Sequence, residues 1–250
     1  MKKLFLFIIL FFSFIFSNAQ TSFTFLGGIH NGSISPDYLT YPDTTKKILK
    51  KKTGIELGLV INFEIKYGFS IRTGFLFSTK GSNWTQFYDT TNLVGRTINV
   101  PPRQKNILFS ANTLLTTNYI DVPLNLFYSL LVNKKTKFMI GAGPMFSLVF
   151  SCYTNFNTLS FSQEPTKEPV AHFEKQFIDL PIGKLPGRVR IFHLGYNAFV
   201  GLELGRVSLT ANYSKDINEF LEEQGRNYKH KIWGVTFGFN IGGIDAKNTN

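Results

Sequence analysis

Apolar and polar residues alternate with a period of two through most of this chain. Thr53–Ile65 is the cleanest case. Ile55, Leu57, Leu59, Ile61, Phe63 and Ile65 share one face, and Gly54, Glu56, Gly58, Asn62 and Glu64 share the other. That is the period of a β-strand with a single apolar side. Phe69–Thr79, the stretch around "YIDVPLNLFY" (119–128), Phe138–Tyr153, Phe192–Leu204, Val207–Ser214 and Ile232–Ile241 repeat the pattern. Ser22–Asn31 repeats it more weakly, and together these predict eight strands.

The connections decide which solvent the apolar faces meet. Lys66–Gly68, Asn133–Lys137 and Gly205-Arg206 are short, whereas Gly32–Lys52, Lys80–Thr117, Thr154–Val189 and Lys215–Asn227 are long. Short and long alternate strictly. Transmembrane barrels do this, with short periplasmic turns and long extracellular loops. Strands of about 10–13 residues also suit a tilted crossing, which needs roughly 9–11. Backbone groups in lipid must all be paired, so the sheet has to close. The predicted fold is therefore all-β: a closed eight-stranded antiparallel up-and-down transmembrane β-barrel with long extracellular loops. A soluble lipocalin-like barrel would invert the faces, and Gly, Asn, Glu and Ser make a poor apolar pocket. Pro123 and Pro144 fall nearly opposite one another if 120–131 pairs with 138–148. Neither can donate to a ladder, so a bulge or twisted patch is expected in the outer half of strands four and five.

Composition agrees with a surface that does not face water everywhere. Charged residues are 17% of the chain, while Phe alone numbers 27; average charged content is about 25%. The single cysteine, Cys152, excludes an intramolecular disulfide and a cysteine-cluster metal site. Lys2 and Lys3, the apolar run Leu4–Phe16 and the small residues Ser17 and Ala19 read as a signal peptide over 1–19, cleaved before Gln20. The barrel is expected over 20–243, with a polar tail over 244–250. The formal net charge is +11. For an exported chain this points to anionic lipid and lipopolysaccharide phosphate, not to nucleic acid.

The leader ending "SNAQ", the strand "YIDVPLNLFY" and the following "KFMIGAGPMFSLVF" resemble the PorT-like outer-membrane β-barrel family of Bacteroidota. An aromatic-x-acid-x-Pro-Leu strand followed by a Gly-x-Gly-Pro strand looks like that family's central hairpin. The tail "IDAKNTN" departs from barrels that end on an aromatic residue. The resemblance implies an outer-membrane location and a small closed barrel. It implies no single activity, although one branch is linked to type IX protein secretion.

Candidate chemistry is sparse. Gly141-Ala142-Gly143 lies inside a strand and cradles no phosphate. His30 and His230 are expected to point inward near the outer ends of strands that close the barrel. A rim pair of this kind could hold a metal or serve a hydrolase, but histidines bonded to loop backbone explain it more simply, and His193 reads as an interior residue. No catalytic residue, cofactor or metal site is assigned. The run Lys46, Lys47, Lys50, Lys51, Lys52 reads as a solvated loop. Arg190, Lys215, Lys229 and Lys231 have lipid-facing parity at outer strand ends, and are expected to form one belt for lipid A phosphates. Inside, parity places Glu56, Glu64, Arg72, Asp121, Asn125, Phe127, His193, Asn197, Phe199, Glu203 and Asn212. An interior polar network of Arg72, Glu64 and Glu203, with Asp121 and Asn125 beside it, is expected to plug the lumen, because unpaired carboxylates there are costly. The expected role is that of a non-enzymatic outer-membrane barrel, structural or associated with assembly and secretion. Its partners would be outer-membrane lipid, lipopolysaccharide and other envelope proteins. A small diffusion channel and a lipid A-modifying enzyme are the alternatives.

Overall fold

The computed structural model describes residues 20–35, 44–89, 108–162, 170–183, 189–218, 221–223 and 226–242. The expected leader over 1–19 and the tail over 244–250 lie outside them. Ten strands are present: β1 (Gln20–Ser35), β2 (Thr44–Lys66), β3 (Phe69–Asp89), β4 (Leu108–Asn133), β5 (Thr136–Ser162), β6 (Val170–Asp179), β7 (Phe192–Leu204), β8 (Val207–Asp216), β9 (Leu221–Glu223) and β10 (Arg226–Asn240). The ring runs β1-β2-β3-β4-β5-β7-β8-β10, every pair antiparallel, and β1 pairs with β10 to close it. The expected eight-stranded barrel is thus the observed one. β6 and β9 lie off the ring, on the upper part of β5 and the start of β10.

Outward parity is apolar over a band of defined height. On β2, Ile55, Leu57, Leu59 and Ile65 are all exposed. Ten residue steps from Ile55 to Ile65 cover about 33 Å along a strand. At a tilt of about 40° that is about 25 Å of height, the thickness of a barrel's apolar band. The turns at the lower end are tight. Tyr67 and Gly68 both take positive φ, 55° and 84°, the pairing that a two-residue hairpin turn requires. In the next turn Asn133 Oδ1 accepts from the Lys135 backbone N–H at 3.0 Å.

The upper end differs from expectation. β2, β3, β4 and β5 run to 23, 21, 26 and 27 residues, about twice the crossing length. Segments read as loops continue as ladders: Lys47 pairs with Gln86, Lys80 with Thr117, and Thr113 with Phe156. Together with β6 they build a tall sheet on one side of the ring. β7 and β8 end low, at Phe192 and Asp216. The lysine run is correspondingly part of β2 and not a loop. Lys50 and Lys51 are exposed, and Lys52 turns inward to donate to the Thr116 hydroxyl.

The prolines break ladders without shifting them. Pairing lapses at Leu124 and Asn125 beside Pro144, and at Val122 and Pro123 beside β3, yet the register on each side is unchanged. The bulge lies higher. Asn118 faces Ser151 while Tyr119 faces Val149, so Phe150 is the extra residue. It points out, and the switch in parity turns both Val149 and Cys152 into the lumen.

Candidate functional site: the filled lumen

Three levels of side chains fill the ring. At the lower level Phe127, Met139 and Phe199 are buried together. They fit because Gly141 faces them: a Cβ there would stand 2.4 Å from the Phe127 Cβ and 2.8 Å from the Phe199 ring. The Arg72 guanidinium lies against both rings, 5.0 Å from the Phe127 centroid and 4.6 Å from the Phe199 centroid, with the two centroids 5.9 Å apart. Both rings attract the cation and help to screen it from water.

The expected Arg72–Glu64–Glu203 network takes another form. Glu64 has inward parity but lies beside the periplasmic turn, where the barrel mouth is open, and is exposed. Arg72 does not bond Glu203 directly. Its Nε donates to Asn62 Oδ1 at 2.8 Å, and Asn62 Nδ2 donates to the Thr24 hydroxyl at 3.0 Å. Thr24 donates to Asn240 Oδ1, and Asn240 Nδ2 donates to Glu203 Oε2 at 3.0 Å. Every donor in this relay points from the cation toward the carboxylate, so the bonds polarise one another in one sense. Glu203 also pairs with Lys137 at 3.4 Å, close to the periplasmic turn.

The middle level keeps a cavity of about 50 Å³, bordered by His30, Glu56, Arg72, Asn125, Asn197 and Thr236 among others. Space of that order holds a few waters. Thr236 lies 3.5 Å from Glu56 Oε1 and also accepts from Asn212 Nδ2.

The upper level centres on a residue that alternation alone did not place. Lys80, 2% exposed, pairs with Asp121, 1% exposed, at 2.9 Å. Ser78 donates to the other Asp121 oxygen at 2.5 Å. Lys80 also reaches Ser147 at 3.4 Å and lies 4.4 Å above the Tyr119 ring. Tyr119 meets His193 and His230 edge-on, with centroids 5.5 and 5.7 Å away. His193 Nε2 bonds the Arg190 carbonyl, and His30 Nε2 the Thr79 carbonyl, both at 2.9 Å. Asp216 accepts from the His230 backbone N–H at 3.1 Å. Thus Asp121 does sit in a polar network, but with Lys80 and not with Arg72. No three His, Cys, Asp or Glu side chains among the described residues are placed to hold a metal ion. Above this level an apolar plug closes the ring: Ile34, Leu115, Tyr119, Val149, Cys152 and Val189, with Leu180 and Ile182 packed on them. Leu180 N–H bonds the Cys152 carbonyl at 2.9 Å, and Val149 N–H bonds the Ile191 carbonyl at 2.8 Å.

A closed antiparallel ring with a lipid-facing band and a filled, polar interior has a counterpart among known families. The family described as outer membrane protein beta-barrel domain matches residues 16–220. The chain belongs to that family. Membership sets this barrel in an outer membrane. Among solved structures it is similar to Ail, the attachment invasion locus protein of Yersinia pestis, solved in complex with the heparin analogue sucrose octasulfate. That likeness covers 89% of this chain and 99% of Ail, at 11% identity and a TM-score of 0.38. Neisserial surface protein A, NspA, is similar over 89% of this chain and 97% of its own, at 8% identity and a TM-score of 0.35. No curated protein matches the chain.

On the outer surface of this outer-membrane barrel an aromatic row crosses the low side. Tyr196, Tyr213 and Trp233 lie side by side, with centroids 6.1 and 4.5 Å apart. Directly above, Lys215 of β8 is the ladder partner of Lys231 of β10. Lys229 stands two residues higher, opposite Ser35. Arg190 precedes β7 and lies outside any strand. The belt expected from Arg190, Lys215, Lys229 and Lys231 therefore contracts on its lower edge to the Lys215–Lys231 pair, with Lys229 above and Arg190 apart.

Proposed function

We propose that this protein is a sealed, non-enzymatic outer-membrane barrel that works through its surfaces. Its tall extracellular sheet would meet other envelope proteins, and its lipid-facing rim would meet lipopolysaccharide. The role is in envelope integrity or as a component of an assembly or secretion machine. The observation that carries this reading is the stacked closure of the lumen: an aromatic layer around Arg72, a buried Lys80–Asp121 pair, and an apolar plug. Eight strands leave an interior that side chains can fill, and here they do. The three inward histidines lie beneath the plug, away from any lipid substrate, which supports a role without catalysis.

The hairpin of "YIDVPLNLFY" and "KFMIGAGPMFSLVF" supports a place in the PorT-like outer-membrane β-barrel family of Bacteroidota. Export by a leader cleaved after Ala19 belongs to the same reading. Purified protein in planar bilayers should give no stable conductance. Steady ohmic channels would overturn the sealed-barrel reading. A pull-down from detergent-solubilised membranes then separates the two surface roles: a co-purifying complex identifies a machine component, and isolation alone identifies a solitary barrel.

A further inference from the structure

Lys215 and Lys231 are direct cross-strand partners with the same outward parity. Cα atoms of such partners are about 4.5–5.5 Å apart, and like charges directly opposite one another destabilise a sheet. Ordinarily an acid nearby relieves such a pair. Here the ladder neighbours on that face are Tyr196, Tyr213, Trp233, Ser33, Ile217 and Lys229. Five are uncharged and the sixth adds a third cation. Asp216, next to Lys215 in sequence, is the nearest described carboxylate along the chain, but it is buried on the inward face, where it accepts from the His230 N–H.

The height is equally specific. The pair lies two residues above Tyr213 and Trp233, about 7 Å along the strands and about 5 Å in height at a tilt of about 40°. Aromatic rows mark the boundary of the apolar band, so the two ammonium groups stand at the level of lipid headgroups. The tall sheet and long connections share this end, which makes it the extracellular one. β7 and β8 end low here, so nothing described in the fold stands between the pair and the leaflet.

We propose that Lys215 and Lys231 form a clamp for a phosphate of lipid A in the outer leaflet. The anion sits between the two ammonium groups and turns a repulsive pair into a bridged one. Lys229 adds long-range attraction from above. The clamp rests on the proposed lipopolysaccharide partnership and gives it an address; it does not depend on whether the lumen conducts.

The test is binding of bis-phosphorylated lipid A to the full-length mature barrel in detergent, read by native mass spectrometry. A basic residue at a membrane surface contributes about fivefold in affinity, so the K215Q/K231Q variant should bind about 30-fold more weakly. The wild type should bind lipid A stripped of both phosphates as weakly as that variant binds the intact lipid. K215R/K231R should retain binding, and K134Q/K135Q, at the exposed periplasmic turn, should leave it unchanged. Without lipid A, the K215Q/K231Q barrel should resist heating at least as well as the wild type, since the bare repulsion is gone. Undiminished binding by K215Q/K231Q, equal binding of the stripped lipid, or an equal loss in K134Q/K135Q would each overturn the clamp. Competition by low-millimolar inorganic phosphate would move the ligand from the leaflet into solution and overturn the lipid assignment. Conductance in bilayers would sink the sealed-barrel reading while leaving these results standing.

Discussion

Replacing Asp121 by Asn tests whether the lumen is dry. Lys80 and Asp121 are 2.9 Å apart and almost wholly buried. At an effective dielectric constant of about 20 their attraction is about 6 kcal/mol before desolvation is counted. Removing one partner from such a pair leaves the other charge uncompensated and typically costs about 3–5 kcal/mol. Asp121→Asn keeps an acceptor for Ser78 and a similar volume, so its cost isolates the stranded ammonium group. Lys80→Met strands the carboxylate instead. The double variant K80M/D121N strands neither and should return to within about 1 kcal/mol of the wild type, because buried pairs and neutral replacements of similar shape are nearly balanced. Urea unfolding of the barrel from lipid vesicles, followed by tryptophan fluorescence and by the folded band on unheated gels, measures all three. Losses below about 1 kcal/mol in both single variants would be the behaviour of a solvent-exposed ion pair. The lumen would then be wet at this height, and the sealed-barrel reading would fail with it.

Thr24→Val removes the hydroxyl that joins Asn62 to Asn240 in the relay, at nearly constant volume. Leaving buried polar partners unsatisfied should cost about 1–3 kcal/mol in the same unfolding assay; a cost below about 0.5 kcal/mol would show that the relay does not couple Arg72 to Glu203. Cys152 is buried within the plug with its sulfur 3.2 Å from the Thr117 hydroxyl, so a membrane-permeant maleimide should leave it unmodified in the folded barrel and label it after unfolding. Labelling of the folded protein at the rate of a free thiol would refute the packing of Leu180, Ile182 and Val189 over it.

What the sequence made legible is what the bilayer imposes. Lipid demands an apolar outward face, so Ile55 to Ile65 and Trp233 to Ile241 announce their strands by period alone. The strict alternation of turn lengths carried the topology. Above the bilayer that demand ends. On β3 the outward positions beyond Phe77 are Thr79, Gly81 and Asn83, and the apolar period disappears although the ladder continues to Asp89. Ending the strand at Thr79 put Lys80 in a loop and hid the cation that pairs with Asp121. The inward series Arg72, Leu76, Ser78, Lys80, Ser82, all buried, was the available signal, because inward parity outlasts lipid contact. The relay was hidden for another reason. Thr24 faces Asn240, and Asn62 faces Arg72, across known neighbours. Yet which inward polar residues bond depends on one strand's stagger against the next, and alternation says nothing about that.

That stagger explains why charges are retained inside a ring that apolar side chains could also fill. A buried ion pair is weak evidence for stability, and its best-attested use is in fixing register. A one-residue slip moves every side chain to the opposite face. For β3, such a slip would carry Arg72 from the lumen into the apolar band, where a basic residue costs up to about 2–4 kcal/mol, and would turn Lys80 outward above it. For β4 it would turn Asp121 outward too. The Lys80–Asp121 contact is also diagonal. Lys80 is the ladder partner of Thr117, and its chain reaches back across Ser78 and the ring of Tyr119 to a carboxylate four residues along β4. A slip of two residues would preserve the faces but separate this contact. The apolar outer face cannot make that distinction, since Ile, Leu and Phe are interchangeable against lipid. The inward charges thus supply the specificity that the lipid-facing residues lack, at the two central strands where the prolines have already weakened the ladder.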